Sequence, residues 1–195
     1  MLDNDLILAC IRNDKIAKES FFRIFFGKFS AIALRYCKNK EQAAEITKKG
    51  FAHLFSLLSK QKTGSVQINE DWIREQFILF TVDHLRNIRS EYYVASTVRV
   101  TDPAGNKSFD LFLDNELTDF KSINFDLLVS SLQQLVPSQR LVFNLHIVEG
   151  YDLMKIANIL EASEQTVKSN LEKARYNLQK NIDKNSKQLR NEQLI

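Results

Sequence analysis

The stretch Ser163 to Lys180, SEQTVKSNLEKARYNLQK, holds side chains whose types and spacing could do chemistry. At about 100° per residue, Val167, Leu171, Ala174 and Leu178 fall on one narrow stripe of a helix. Gln165, Thr166, Ser169, Glu172 and Lys173 fall on the opposite face, which is polar, short-armed and mildly basic. Such a face suits a nucleic acid, because short polar side chains let a helix come close to base edges while lysine and arginine hold phosphate. Ser163 stands where its hydroxyl can accept a hydrogen bond from a free amide of the first turn and cap the helix.

Other chemistries lack their residues. His53, His84 and His146 lie in separate helical patterns without ligand spacing, and the chain has no glycine-rich phosphate loop and no nucleophile motif. The sequence therefore argues against an enzyme and calls for neither a metal nor a cofactor. Cys10 and Cys37 sit inside apolar helical patterns and read as reduced core thiols.

The elements that must position these residues are helical. The chain has 195 residues, 44% of them hydrophobic and 26% charged, a composition that folds, and its 5 Gly and 2 Pro argue against a strand-and-turn design. Apolar spacing at i, i+3, i+4 predicts helices over about 3–13, 15–37, 41–60 and 69–92. It resumes over about 124–135, 138–148, 152–160 and 164–182, with Pro137 at the start of the second of these. Phe21, Phe22, Phe25, Phe26 and Phe29 crowd into one short stretch and predict an N-terminal core closed by rings. The expected fold is all-α: an N-terminal helical domain over 1–93, an acidic linker over 94–123, a helix-turn-helix domain over 124–182 and a polar tail over 183–195. Within the linker, STVRV and SFDLFL alternate about TDPAGNK, which reads either as a short hairpin or as irregular chain.

Charge follows the same division. Residues 1–93 carry 15 basic against 11 acidic side chains, 94–125 carry 3 against 5, and 126–195 carry 9 against 8. Two basic ends flank an acidic middle, which is compatible with a nucleic acid partner. No apolar run approaches the roughly 18 residues of a membrane span, and the N-terminus is too charged for a secretory signal. Membrane insertion is not expected, and the expected location is the cytoplasm.

In the last block Leu153, Ile156, Ala157 and Leu160 make a short amphipathic helix, EAS turns the chain, and the helix from Ser163 follows. Short helix, tight turn and longer helix form a helix-turn-helix pattern. Leu135 to Arg175 carries Leu-x-Pro-x-x-Arg-x-Val-Phe, Val-Glu-Gly, Ile-Ala-x-x-Leu, Ser-Glu-x-Thr-Val-Lys-Ser and Ala-Arg. In these motifs it resembles the C-terminal DNA-binding domain of bacterial sigma factors of the extracytoplasmic-function group. Asp5 to Phe55, with Ala-x-x-x-Phe-Phe, Ala-Leu-Arg-Tyr and Phe-x-x-Leu-Phe, is similar to the first helical domain of that family.

The resemblance implies a subunit that binds the RNA polymerase core and carries it to particular promoter DNA, with an anti-sigma protein as a further partner it leaves room for. It implies DNA contacts at Gln165, Thr166, Lys168, Ser169, Asn170, Lys173 and Arg175, promoter opening at Trp72, Arg86 and Arg89, and core polymerase contacts at Glu45, Lys48, Lys49 and Phe51. This chain departs from the family pattern at Lys48 and Lys49, where an amide and a carboxylate are usual, and at Phe77-Ile78-Leu79, which replaces Ala-Arg-Asn. Glu161 replaces the usual glycine of the turn, Asn170 replaces an arginine, and Glu172 adds a negative charge to the reading face. These departures leave open the reading of a degenerate sigma relative that acts as a decoy or regulator without promoter activity.

Overall fold

The computed structural model describes residues 4–61, 68–88 and 124–192. Among them the chain is all-α, with no strand. It divides into two compact units, Met1–Ser90 and Glu91–Ile195. The stretch expected as an acidic linker or hairpin lies outside the described residues, as does Arg89.

The first unit contains α1 (Asn4–Ile11), α2 (Lys15–Tyr36), α3 (Lys40–Lys60) and α4 (Glu70–Ile88). Its breaks are written in side-chain chemistry. Asn13 adopts φ 68°, a left-handed conformation that asparagine tolerates better than most residues. There the Asn13 amide donates to the Cys10 carbonyl and the Asp14 amide to the Ala9 carbonyl, which closes α1. Asp14 then caps α2 by accepting from the Ala17 amide at 2.7 Å, and Asn39 caps α3 by accepting from Gln42 at 2.9 Å.

Rings fill the interior of this unit. Phe21, Phe25 and Phe29 of α2 are buried with Phe51 of α3 and Phe77 of α4. Phe29 and Phe77 stack with centroids 4.2 Å apart and planes 8° from parallel. Gly50 lets them do so: a Cβ there would stand 2.4 Å from the Phe77 ring, so α3 must present a bare backbone where α4 presents that ring. The phenylalanine run does not all go inward, however. Phe22 and Phe26 keep 40% and 49% of their surface exposed, because five rings within nine residues span more of the helix circumference than one core can cover. Cys10 and Cys37 are free and buried, and burial pushes the Cys10 thiol pKa up.

The second unit contains α5 (Phe125–Gln133), α6 (Pro137–Phe143), a π-helical segment (Asn144–Val148), α7 (Leu153–Leu160) and α8 (Glu164–Glu192). Leu132, Leu135, Phe143, Ala174, Leu178 and Ile182 form its apolar centre. The single helix expected over 138–148 widens at Asn144, whose side-chain amide donates to the Arg140 carbonyl at 2.9 Å. Arg140 is itself buried and donates from Nη1 to the Gln133 carbonyl at 2.8 Å, tying α6 to the end of α5.

The C-terminal helix also runs further than its apolar pattern predicts. The polar tail was expected to begin at 183, yet α8 continues to Glu192. Tertiary hydrogen bonds explain the difference: Asn181 Nδ2 donates to the Ser131 carbonyl at 3.1 Å and Asn185 Nδ2 to Ser131 Oγ at 2.9 Å. Gln134 Nε2 donates in turn to Asn185 Oδ1 at 3.1 Å. Beyond Ile182, the last residue of the apolar centre, the Asn185 amide docks the helix on α5, which a hydrophobic period could not register.

Candidate nucleic-acid interface

Two helices and a three-residue turn build the interface. Asp152 caps α7 by accepting from the Lys155 amide at 2.6 Å. The Lys155 ammonium lies 3.9 Å over the Tyr151 ring, so the start of α7 is fixed by both backbone and side chain. Ile156, Ala157 and Leu160 are its buried face.

At the far end Glu161 adopts φ 52°, ψ 44°. The Glu161 amide donates to the Asn158 carbonyl and the Ala162 amide to the Ala157 carbonyl, the paired hydrogen bonds of a left-handed helix stop. Glutamate is thus held in the conformation where glycine is favoured, and only the surrounding hydrogen bonds make that tolerable.

Ser163 Oγ accepts from the Thr166 amide at 3.1 Å and lies 2.8 Å from Thr166 Oγ1. This is the expected cap, and it has a consequence for the helix face. Thr166 is turned toward Ser163 and is 6% exposed. Asn170 is 9% exposed and donates to the Thr166 carbonyl at 2.9 Å. Both residues were expected among the DNA contacts, and both face the packed side instead. Asn170 sits only about 60° round the helix from Val167, close enough to be carried inward with the apolar stripe.

The other polar residues remain accessible. Gln165 and Lys168 are exposed, and Ser169, Glu172, Lys173 and Arg175 are half-buried. Among the described residues no hydrogen bond or ion pair engages the side chains of Gln165, Lys168, Ser169 or Glu172. The Arg175 Nε is buried without a partner. Tyr176, which the sequence reading passed over, is 47% exposed on the fourth turn. Its signal was its position, four residues after Glu172 and seven after Ser169 on the same face.

The candidate residues of the first unit separate in the same way. Glu45, Lys48 and Lys49 are exposed on α3. Lys49 pairs with Glu45 at 2.6 Å, and that ammonium holds the Glu45 carboxyl below its usual pKa. Lys49 Nζ also lies 3.4 Å from His84 Nε2 on α4. Burial, and then the Lys49 charge, push the His84 pKa down; burial does the same for His53, whose ring lies 4.7 Å from that of Phe80. Phe51, expected on the same contact surface, is 3% exposed inside the ring cluster. Phe77 and Ile78, which stand where the family pattern has an alanine and an arginine, are both buried. Trp72 and Arg86 are half-buried on α4.

This arrangement, a short helix stopped by a left-handed residue and followed by a long helix that keeps Gln165, Lys168, Ser169 and Glu172 uncommitted among the described residues, defines a helix-turn-helix domain. Residues 125–178, from the start of α5 through the first half of α8, match the family described as Sigma-70, region 4. No curated protein matches the chain. Among the described residues no helix is long and apolar enough to cross a membrane.

Proposed function

We propose that the chain is a sigma factor of the extracytoplasmic-function group, which binds the RNA polymerase core in the cytoplasm and directs it to a particular class of promoter. The observation that carries this reading is the second helix of the Sigma-70 region 4 match, on which the side chains of Gln165, Lys168, Ser169 and Glu172 have no partner among the described residues. Gln165 and Ser169 would meet base edges, and Lys168, Lys173 and Arg175 would hold phosphates. Trp72 and Arg86 on α4 would act on the opened strand, and Lys48 with the Glu45–Lys49 pair would meet the core enzyme.

Transcription by purified core polymerase on a mixed promoter library tests the reading. Addition of the chain is expected to start transcripts from a subset of templates that share an upstream sequence. The decoy reading draws on the Glu45–Lys49 pair, which neutralises the carboxylate at the expected core contact. Copurification with core polymerase without any promoter-specific transcript would favour it.

A further inference from the structure

The accessible side chains of α8 are ordered by charge around the helix. At about 100° per residue, Gln165, Ser169, Glu172 and Tyr176 fall within about 60° of arc at the centre of the solvent face. Lys168 and Arg175 border that stripe on one side, and Lys173 and Lys180 border it on the other. A helix lying in the major groove turns its central stripe to the base edges and its flanks to the two phosphate backbones. The cations therefore stand where phosphates would be, and one carboxylate stands where bases would be.

Among the described residues Glu172 has no partner. Lys168 lies four residues before it and Arg175 three after it, both within helical reach, yet neither pairs with it. A carboxylate only accepts hydrogen bonds, so in the groove it needs an amino group. Guanine N7 and O6 and thymine O4 are acceptors and would repel it, whereas the cytosine N4 amino group donates and is the usual partner of glutamate.

We propose that Glu172 is a specificity-determining residue that selects a cytosine in the upstream element and excludes guanine and thymine at that position. This rests on the DNA-binding reading of α8 above. Gln165, two turns earlier on the same stripe, has the side chain that pairs with adenine N6 and N7. Seven residues advance about 10.5 Å along the helix, so the adenine and the cytosine lie within about three base pairs of each other.

Selection from a pool of random-sequence duplex DNA by the full chain, with and without core polymerase, tests this. Wild type is expected to enrich a sequence in which cytosine is preferred about tenfold at one position. Glu172→Gln is expected to change that position to adenine and to leave the rest of the sequence intact. Glu172→Ala should make the same position degenerate and no other. If both variants keep the wild-type sequence, or bind every sequence more tightly without changing preference, the carboxylate only repels phosphate and the proposal fails while the DNA-binding reading stands. If wild type enriches no sequence under either condition, the DNA-binding reading falls and this proposal with it. Circular dichroism checks that the variants fold, as expected for a half-exposed helix position.

Discussion

Rings hold the first unit together, while amides and hydroxyls run through the interior of the second. In the first, Phe29 stacks on Phe77 and Gly50 clears the space for it. In the second, Ser131 and Asn185 are buried against each other, and Arg140 and Asn144 are buried with the Asn144 amide donating to the Arg140 carbonyl. Helix length accounts for the difference. The 22-residue α2 and 21-residue α3 present enough apolar surface to be fixed by shape, whereas the 9-residue α5 and 7-residue α6 have only two turns each. Short helices of that size slide easily on an apolar surface, and directional hydrogen bonds to α8 give them a register. One unit should therefore be sensitive to volume and the other to polar satisfaction.

The largest effect should come from the ring stack. Phe77→Ala is expected to destabilise the first unit by about 3–5 kcal/mol, since it empties the centre of the aromatic cluster. Urea unfolding followed by the fluorescence of Trp72, the single tryptophan, measures it. A loss below about 1 kcal/mol would show that the rings are loosely packed and would break the comparison.

Gly50→Ala separates volume from propensity. Alanine favours a helix by about 1 kcal/mol over glycine, yet its Cβ would strike Phe77, so a net loss of about 1–3 kcal/mol is expected. Combining Gly50→Ala with Phe77→Leu should recover much of that loss, and simple additivity of the two would disprove the close contact.

For the second unit, Asn185→Leu should cost about 1–3 kcal/mol despite its greater hydrophobicity, because Ser131 Oγ and the Gln134 amide lose their partner. Amide hydrogen exchange in α5 should rise with it, and unchanged exchange would mean that apolar contacts alone set the register.

A smaller effect of the opposite sign is expected at the turn. Glu161→Gly relieves a left-handed non-glycine residue, costing roughly 1–2 kcal/mol, at an entropic cost of roughly 0.5–1 kcal/mol, so a gain of about 0.5–1 kcal/mol in thermal unfolding is expected.

The last prediction concerns pH. His53 and His84 both have folded-state pKa values below 6.5, so the unfolded chain takes up protons first. Their stabilising contribution is complete above about pH 6.5 and is lost as the pH falls from there toward the folded values. Lys49, Glu45 and Asp83 bear on His84, and Lys60 and Asp83 on His53. His53→Gln with His84→Gln should flatten the loss of stability between pH 7 and pH 5.5; the same slope in the variant would assign it to carboxylates instead.

Local chemistry made much of this legible in advance. The helix order, the cap at Ser163 and the apolar stripe of α8 follow from residue types and spacing, because each depends on neighbours within one or two turns. The tertiary structure decided what depends on partners distant in sequence. The helical wheel sets Thr166 on the polar face and the resemblance adds Asn170 to the DNA contacts, and only the cap and the packing of α8 turn them inward. Phe51 looks like a contact residue until Phe22 and Phe29 close around it. The end of α8 looks like a fraying tail until Ser131, some fifty residues earlier, supplies hydrogen bonds for Asn181 and Asn185. Periodicity reports which side of a helix is apolar, but which polar groups find a partner is settled only when the chain brings the two together.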